Sequence, residues 1–278
     1  MSECYLSKYL HNQEVKDTWY FDADLVFRGE SLYELFRIIK AIPLFWEDHI
    51  SRLFRTSQIT GLKIWLDGEK IREQVTDLIR VNSVTEGNIK LVFNFRKSGL
   101  KTRRNFLAYF VEPLYPTSEQ YNQGVYGILY QASRINPTAK IINQNLRIAV
   151  YKKLIEKGAY EALLVDKNGE ITEGSRSNIF LIREGHVYTA PDHEVLSGIA
   201  RKHVLGICGN LNLPLSYKKI HRSELGAMDA VFMTGTSPRI LPFSRIGEFE
   251  FNPRDPVLLD IINGYDNIIG KYIAERII

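Results

Sequence analysis

Residues 171–180, ITEGSRSNIF, constrain the fold more tightly than any other stretch of the chain. The stretch starts like a strand, breaks into Glu-Gly-Ser-Arg-Ser-Asn, and becomes apolar again. Gly, Ser and Asn supply the backbone shapes that a turn between strands needs, but no turn needs a glutamate held between two apolar strands. Because a buried carboxylate requires a cationic partner, Glu173 is either a turn or capping carboxylate or the counter-ion of a bound cation.

Short strand-like segments and helical segments alternate along the chain, and this alternation predicts an α/β (α+β) fold. In the first half, apolar residues recur at helical spacing from Ile71 to Ile79, in a segment that Asp67 can cap. The segments 88–95 and 106–115 are strand-like, and the basic loop that joins them indicates a hairpin.

Two prolines in a polar stretch, residues 112–124, mark the predicted domain boundary. We expect a smaller N-terminal α/β domain, residues 1–116, and a larger C-terminal domain, residues 117–278. The second half is predicted to contain helices over residues 145–159, 198–211 and 256–278.

The net charge of +4, from 36 basic and 32 acidic residues spread along the chain, is too mild for a nucleic-acid-binding stripe. Cys4 and Cys208 are too far apart in sequence for a disulfide framework or a metal site. The N-terminal residues lack the apolar region of a signal peptide, and no apolar run approaches the roughly 20 residues of a membrane span. We therefore expect a soluble, cytoplasmic protein without a nucleic-acid or membrane partner.

Several motifs of other enzyme classes are missing from the sequence. There is no GxGxxG after a strand, no GxxxxGK[ST], no HExxH, no CxxC pair and no GxSxG. Their absence argues against nucleotide hydrolysis, zinc hydrolysis and lipase-type chemistry. The six histidines are scattered without metal-ligand spacing, so we expect no metal site.

One lysine, one acid and two anion-binding turns could carry chemistry together. Lys140 follows small and turn-forming residues and precedes apolar ones, so desolvation would favour the neutral amine that Schiff-base chemistry needs, although a lysine snorkelling from a strand edge fits the same stretch. The helix start at residues 197–201 and the Gly-Thr-Ser turn at residues 235–237 can hold a phosphate through backbone N–H groups. Arg52, one helical turn after His49, either adds positive charge or is a solvated helix arginine.

Two sets of motifs carry a resemblance to a known family. In the second half they read EALLVD…GEITEGSRSNIFLI…GHVYTAP…LSGIARKHV…DAVFMTGTSPRILP, and in the first half RGESLYELFRI…PLFWEDHISRL. In this order the chain resembles, over nearly its whole length, the class IV (fold type IV) pyridoxal-phosphate-dependent aminotransferases, which include branched-chain aminotransferases, D-amino acid aminotransferases and 4-amino-4-deoxychorismate lyases. The resemblance implies a two-domain fold with pyridoxal 5'-phosphate in the interdomain cleft, the C-terminal domain as the cofactor-binding one, and a homodimer with active sites near its interface.

The resemblance also implies a role for individual residues. Lys140, with Asn143 in the family's K-x-x-N segment, would hold the cofactor as an internal aldimine and shuttle the α-proton, and Glu173 would pair with the pyridine nitrogen. Ser177 and Asn178 would complete the turn beneath the cofactor. Phosphate contacts are implied for Arg52, Ile199, Ala200, Gly235 and Thr236, and substrate contacts for Tyr33, Arg96 and Arg239.

The chain departs from the family pattern at four places. Ala200 replaces the usual threonine, and Gln144 and Asn145 stand where many branched-chain enzymes have a tyrosine. Arg96 is shifted by one residue from the carboxylate-binding arginine of D-amino acid enzymes, and in a strand such a shift reverses the face of the side chain unless a bulge corrects it. Arg239 either faces a substrate carboxylate or points to water.

The resemblance implies amino-group transfer between a branched-chain-like amino acid and a 2-oxo acid by a ping-pong aldimine mechanism. Two alternatives from the same family stay open at this point. One is 4-amino-4-deoxychorismate lyase, which yields aminobenzoate and pyruvate. The other is D-amino acid aminotransferase, for which Tyr33 is suggestive. A cofactor-binding protein without turnover is a third, against which the retained Lys140–Glu173 pair argues.

Overall fold

The computed structural model describes residues 3–99 and 101–277, which form two compact units. Unit 1 contains the residues up to Leu114, Ala139–Ile142 and the residues from Lys271 onward, and unit 2 contains Tyr115–Thr138 and Asn143–Gly270. Two short segments of the C-terminal half thus belong to unit 1. The predicted domains, residues 1–116 and 117–278, stay a prediction.

Unit 1 is built on an antiparallel sheet. Its strands are β1 (Lys8–His11), β2 (Glu14–Asp17), β3 (Glu30–Ile39), β4 (Ile42–Pro43), β5 (Glu86–Ser98) and β6 (Lys101–Val111), and its helices are α1 (Asp24–Phe27), α2 (Trp46–Thr60) and α3 (Gly68–Val81). The strands of the described residues are ordered β2-β1-β6-β5-β3-β4.

Helices α2 and α3 cover one face of this sheet. Leu53 of α2 and Val75 of α3 are buried in the same core cluster as Phe93 of β5. The capped helix predicted after Asp67 is confirmed, because Asp67 Oδ1 accepts a 2.7 Å hydrogen bond from the Lys70 N–H group at the start of α3.

The hairpin predicted around the basic stretch is confirmed, but the basic residues do not form its loop. Strands β5 and β6 stay paired from Asn88 opposite Val111 to Ser98 opposite Lys101. The predicted loop over residues 96–105 is therefore wrong, since almost all of it is strand. A two-stranded ribbon satisfies its backbone groups without a buried face, so exposed basic side chains do not interrupt it.

Unit 2 contains a larger mixed sheet. Its strands are β7 (Val125–Gln131), β8 (Glu161–Val165), β9 (Glu170–Gly174), β10 (Asn178–Arg183), β11 (His186–Thr189), β12 (Leu215–Tyr217), β13 (Ile220–His221), β14 (Ala230–Gly235), β15 (Arg239–Ile246) and β16 (Phe249–Glu250). They follow the order β12-β11-β10-β14-β15-β7-β8-β9-β13, with β16 paired to β15. Strand β7 is parallel to both β8 and β15, whereas β8–β9 and β10–β14 are antiparallel.

The helices of the second half are α4 (Ser118–Gln123), α5 (Gln144–Lys157), α6 (Ile199–Asn210) and α7 (Pro256–Ala274). Helices α5, α6 and α7 confirm the three helices predicted there, and Gly158 ends α5 in a left-handed conformation with φ of 60°. Within the described ranges, no helix is long and apolar enough to cross a membrane. Two sheets with packed helices confirm the predicted α/β (α+β) class.

Candidate active site

The turn at residues 174–177 connects β9 to β10 and is closed by a 2.8 Å hydrogen bond from the Gly174 N–H group to the Ser177 carbonyl. Gly174 is required there because a Cβ at that position would overlap with Ser177 Oγ. The serine and glycine of the motif are thus explained by the packing of the turn on itself.

Glu161 of β8 is a second carboxylate, and it accepts hydrogen bonds from the residues of this turn. Its side chain is 1% exposed and accepts hydrogen bonds from Ser175 Oγ at 2.6 Å and Ser177 Oγ at 2.9 Å. The Ser175 N–H group donates to it as well, at 3.1 Å. Sequence reasoning missed Glu161, although a glutamate at the start of the otherwise apolar strand EALLV was a signal for a buried polar role.

Glu173 itself is 2% exposed, and protein donors reach both oxygens of its carboxylate. Arg134 Nε lies 2.9 Å from Oε1 in a bent geometry, so this contact is an ion pair rather than an aligned hydrogen bond. The Leu196 N–H group donates to Oε2 at 3.2 Å, and Arg134 Nη2 donates to the Ser175 carbonyl at 2.8 Å. The carboxylate is therefore fixed in place, and Arg134, which sequence reasoning also missed, places a positive charge beside it.

Two other elements with predicted phosphate contacts lie at the same edge of the unit 2 sheet. Asn178 pairs in register with Thr234, which places the 174–177 turn beside the Gly235–Thr236 turn. Asn178 Nδ2 donates to the Leu196 carbonyl at 2.9 Å, and this brings in the loop that precedes α6. Within unit 2, the structure thus brings together most of the residues predicted to bind the cofactor.

Helix α6 begins at Ile199 and Ala200, with no acidic residue in its first turn and, in the part of the chain that the structure describes, no side-chain cap. The first N–H groups of a helix have no partner within the helix, and the positive end of the helix dipole attracts anions. The arrangement is suited to a phosphate. Beside it, the Thr234 hydroxyl is buried and has no hydrogen-bond partner among the described residues.

The loop before α6 is held by two ion pairs. Arg201 in the first turn of α6 is 3% exposed, pairs with Asp192 and donates to the Ala190 carbonyl at 2.8 Å. Lys219 Nζ lies 2.7 Å from Glu194 on the same loop. These contacts fix the loop whose Leu196 contacts both Glu173 and Asn178.

Arg239 opens β15 in a left-handed conformation with φ of 54°. Its Nη1 atom lies 3.0 Å from Asp266 Oδ1 of α7, so the side chain is engaged by a carboxylate of the protein. The predicted contact of Arg239 with substrate stays a prediction.

In unit 1, Lys140 is carried by a short segment that extends the sheet beside β3. Leu32 and Ile141 form a bridge, and the Tyr33 N–H group donates to the Lys140 carbonyl at 3.2 Å. Lys140 Nζ lies 4.7 Å from the centroid of the Tyr33 ring. The structure therefore brings the predicted catalytic lysine and the predicted substrate contact Tyr33 together.

Arg52 lies in a buried network centred on Glu34, a residue of β3 that sequence reasoning did not single out. Arg52 Nε donates to Glu34 Oε1 at 2.8 Å and Arg52 Nη2 to Oε2 at 2.7 Å, while His49 Nδ1 lies 2.8 Å from Oε2. Arg52 is thus a buried, oriented guanidinium and not a solvated helix arginine, whereas its phosphate contact stays a prediction.

The pKa values in this network follow from its burial and charges. Burial alone would raise the pKa of Glu34, but the charge of Arg52 and hydrogen bonds from Arg52 and His49 outweigh burial and lower the pKa to about 2. Burial lowers the pKa of His49, and the hydrogen bond to Glu34 opposes this effect without reversing it. The network therefore consists of an ionised carboxylate, a guanidinium and a neutral imidazole at neutral pH.

Lys90 of β5, which is buried, is a second cation near Tyr33 that sequence reasoning missed. It is 3% exposed, its Nζ lies 5.4 Å from the Tyr33 ring centroid, and it pairs with Glu3 Oε1 at 2.6 Å. The Tyr109 hydroxyl donates to the other oxygen of Glu3 at 3.0 Å. The Tyr33 ring is therefore contacted by the ammonium groups of both Lys90 and Lys140.

Arg96 lies on the same face of the sheet as Tyr33. Tyr33 is paired with Val92, and Arg96 follows Val92 by four residues on a strand whose pairing shows no register shift. Residues an even number of positions apart share a face, and four residues span roughly 13 Å. Arg96 is exposed and directly opposite Arg103, so its substrate contact stays a prediction.

Two curated relatives are similar to most of the chain. The D-alanine aminotransferase of Bacillus licheniformis is 28% identical over 226 residues, which cover 78% of this chain and 79% of the relative. The branched-chain-amino-acid aminotransferase of Pseudomonas aeruginosa is 28% identical over 246 residues, with 82% and 79% covered.

Solved structures share the fold at lower identity. The Escherichia coli branched-chain amino acid aminotransferase superposes with a TM-score of 0.85 at 20% identity, covering 95% of both chains. A T.th. branched-chain amino acid aminotransferase with pyridoxamine 5'-phosphate gives 0.83 at 22% identity, covering 96% of this chain and 95% of that one. A putative 4-amino-4-deoxychorismate lyase from Legionella pneumophila gives 0.78 at 22% identity, covering 86% and 91%.

The family itself is given by a sequence model that matches most of the chain. The model of the amino-transferase class IV family matches residues 31–246, a range that includes Tyr33, Arg52, Lys140 and Glu173. The resemblance found from the motifs is thereby confirmed, and the chain belongs to the class IV aminotransferases.

Proposed function

We propose that this protein is a pyridoxal-phosphate-dependent aminotransferase that moves an amino group between an amino acid and a 2-oxo acid. The observation that carries the proposal is the buried carboxylate of Glu173, held in one position by Arg134 and the Leu196 N–H group. A fixed, desolvated anion is a suitable partner for a protonated ring nitrogen, because a nearby opposite charge favours the charged form of both groups. The pyridoxamine 5'-phosphate of the T.th. structure supports this choice of cofactor.

The remaining polar groups of unit 2 fit the phosphate of that cofactor. The N–H groups of Ile199 and Ala200 open α6, and the Gly235–Thr236 turn adds further donors at the same edge of the sheet. The hydroxyl of Thr234, on the strand that leads into this turn, is buried and has no hydrogen-bond partner among the described residues. Ala200 provides no hydroxyl, so backbone groups and Thr236 would carry the contact.

Residues of unit 1 would supply the covalent link and the proton transfer. When bound, pyridoxal phosphate serves as an electron sink for negative charge that develops at the substrate Cα atom. Lys140 would hold the cofactor covalently through Nζ and, once the substrate amine has displaced it, would remove the proton from the substrate Cα atom and deliver it to the cofactor's aldehyde carbon. Tyr33 orients the Lys140 ammonium through its ring, and Arg52, itself oriented by Glu34, would add positive charge for the phosphate.

We propose a branched-chain-like amino donor, in line with the Pseudomonas aeruginosa relative. A D-amino acid donor is the second candidate, and the shared face of Tyr33 and Arg96 favours it, because an arginine there could meet a substrate carboxylate. A homodimer and a cytoplasmic location, which the sequence leads us to expect, stay predictions.

The cofactor part of the proposal is tested by spectroscopy. Purified protein reconstituted with pyridoxal phosphate is expected to show the absorbance of a lysine-bound cofactor, and Lys140→Ala should abolish it. Lys152→Ala, at an exposed lysine of α5, is the matched control and should leave the spectrum unchanged. Unaltered absorbance in the Lys140→Ala variant would refute the proposed role of this lysine.

The substrate is tested by presenting L-branched-chain and D-amino acids separately to the reconstituted enzyme. Conversion of the cofactor to its amine form by L-leucine or L-valine, and regeneration by a 2-oxo acid, supports the leading proposal. Conversion by D-alanine alone would replace it with the second candidate. Release of pyruvate from aminodeoxychorismate without a 2-oxo acid acceptor would overturn both in favour of a lyase.

A further inference from the structure

We propose that Arg134 is the positioning residue of the site: it holds the Glu173 carboxylate ionised and in one orientation before any ligand binds. The inference rests on the proposed function for its relevance to catalysis, but the ion pair itself is a property of the protein alone. Arg134 lies in the segment that follows β7, six positions before Lys140, and no motif of the family resemblance included it.

Arg134 contacts both the Glu173 carboxylate and the adjacent turn, residues 174–177, and these two contacts form a clamp. Nε faces Glu173 Oε1 at 2.9 Å, and Nη2 donates to the carbonyl of Ser175 at 2.8 Å. A planar guanidinium can engage two acceptors in a fixed relation to each other. The clamp therefore sets both the position of the carboxylate and its distance from the backbone of the turn.

The rest of the turn is fixed independently of Arg134. Glu161 accepts hydrogen bonds from Ser175 and Ser177, and the Leu196 N–H group donates to Glu173 Oε2. The donors of these hydrogen bonds are neutral, and what Arg134 adds is a positive charge. Glu173 is 2% exposed, and an ionised carboxylate at such a site is strongly disfavoured without a cation.

The other charged groups around the turn have their own partners. Glu161, from β8, binds the serines of the turn, and Glu194, in the loop before α6, pairs with Lys219. Arg176 of the turn is exposed and donates through Nη2 to the Tyr160 carbonyl at 2.8 Å. Within unit 2, Arg134 forms an ion pair with Glu173.

The experiment is a double-mutant cycle on the cofactor-free protein, with melting temperature measured at pH 5 and pH 8. Arg134→Gln removes the positive charge that pairs with Glu173, so we expect a loss of melting temperature that is larger at pH 8, where the carboxylate is charged, than at pH 5, where it can take up a proton. Arg134→Gln combined with Glu173→Gln should recover most of the loss and remove its pH dependence. Arg176→Gln, in the same turn, is the matched control and should show neither effect.

The proposal is overturned if Arg134→Gln behaves like Arg176→Gln at both pH values, or if Glu173→Gln does not reduce its effect. Arg134→Lys retains the positive charge but lacks the planar guanidinium. We expect a smaller loss of melting temperature for it, with little pH dependence. This variant therefore separates the effect of charge from that of general packing. For the loaded protein, Arg134→Gln should weaken pyridoxal phosphate binding roughly tenfold relative to Arg176→Gln; equal affinities would contradict the positioning role. Wild-type protein that binds no pyridoxal phosphate would refute the proposed function and leave the ion-pair result standing.

Discussion

The hydroxyl of Ser175 donates a 2.6 Å hydrogen bond to the buried carboxylate of Glu161, 14 residues earlier in the chain. This contact ties the turn that follows Glu173 to β8, an interior strand of the unit 2 sheet. It also explains why the motif contains serines, whose hydroxyl groups point toward a protein carboxylate. The turn is therefore shaped before any cofactor is present.

Removing the charge of Glu161 should loosen this turn. We expect Glu161→Gln to lower the free energy of unfolding by about 2–3 kcal/mol, because an amide cannot accept from all the donors that converge on the carboxylate. Denaturant unfolding of the cofactor-free protein measures this loss. Glu156→Gln, at an exposed glutamate of α5, is the control that should be neutral, and an equally small effect at Glu161 would contradict the role assigned to it.

Because the pKa of Glu34 is low, we expect the stability of the protein to respond to acid in a specific way. Its pKa in the folded protein is about 2, below its ordinary value, so its stabilising contribution is fully present above the unfolded value near pH 4 and is lost as the pH falls toward 2. Glu34→Gln removes the carboxylate that pairs with the buried Arg52 and should cost roughly 3–5 kcal/mol at neutral pH. The difference from wild type should shrink between about pH 4 and pH 2.

Thermal unfolding as a function of pH checks this expectation. Glu30→Gln, at an exposed glutamate on the same strand, removes a charge without touching Arg52 and serves as the control. A Glu34→Gln penalty that stays constant down to pH 2 would show that the ion pair with Arg52 is not its origin.

Much of the fold was accessible from the sequence because local patterns agree with it. Helix α3 follows from its apolar spacing and from Asp67, and the β5–β6 hairpin from two apolar segments. The basic part of that hairpin was predicted as loop, since a ribbon exposed on both faces has no alternation of apolar and polar residues to reveal it. Its pairing is imposed by the register of the buried part.

The candidate site was accessible only where single residues carry the signal. Lys140 and Glu173 are recognisable from the motifs around them, whereas Arg134, Glu161 and Glu34 act through partners that lie 39, 14 and 18 positions away in the chain. Such pairings depend on which strands become neighbours and on the burial of each group. One sequence does not specify either for a lone charged residue.

The carboxylates around Lys219 lead us to expect a second pH-dependent contribution to stability, in unit 2. Its Nζ lies within 2.9 Å of carboxylate oxygens of Asp166, Glu170 and Glu194. Hydrogen bonds from Lys219 and from backbone groups outweigh the effect of burial and lower the pKa of Asp166. A group with a lowered pKa stabilises the fold above its unfolded value, so this contribution is present above about pH 4 and is lost as the pH falls further.

We expect Lys219→Met to lower the stability by roughly 1–2 kcal/mol at pH 7, because three carboxylates are left without their shared cation. The loss should diminish below about pH 4, where the carboxylates take up protons. Lys218→Met, at the exposed neighbouring position, provides the control in a thermal unfolding series. A loss independent of pH would instead indicate that packing of the lysine stem is responsible.

Gly198 precedes α6 and Gly206 lies within it, and we expect substitution by alanine to have opposite effects on stability at these two positions. A Cβ at Gly198 would overlap with Asn178 Oδ1, so Asn178 must rotate and give up its hydrogen bond to the Leu196 carbonyl. We expect Gly198→Ala to cost about 1–3 kcal/mol and to weaken binding of pyridoxal phosphate, because the start of α6 is displaced.

A Cβ added at Gly206 would meet no heavy atom within 4 Å among the described residues outside the helix's own backbone, and Gly206→Ala should stabilise the helix by about 1 kcal/mol. Melting temperature and cofactor affinity measured on both variants separate a steric effect at the phosphate end from a general change in the helix, and a Gly198→Ala protein with wild-type affinity would argue against phosphate binding at this helix start.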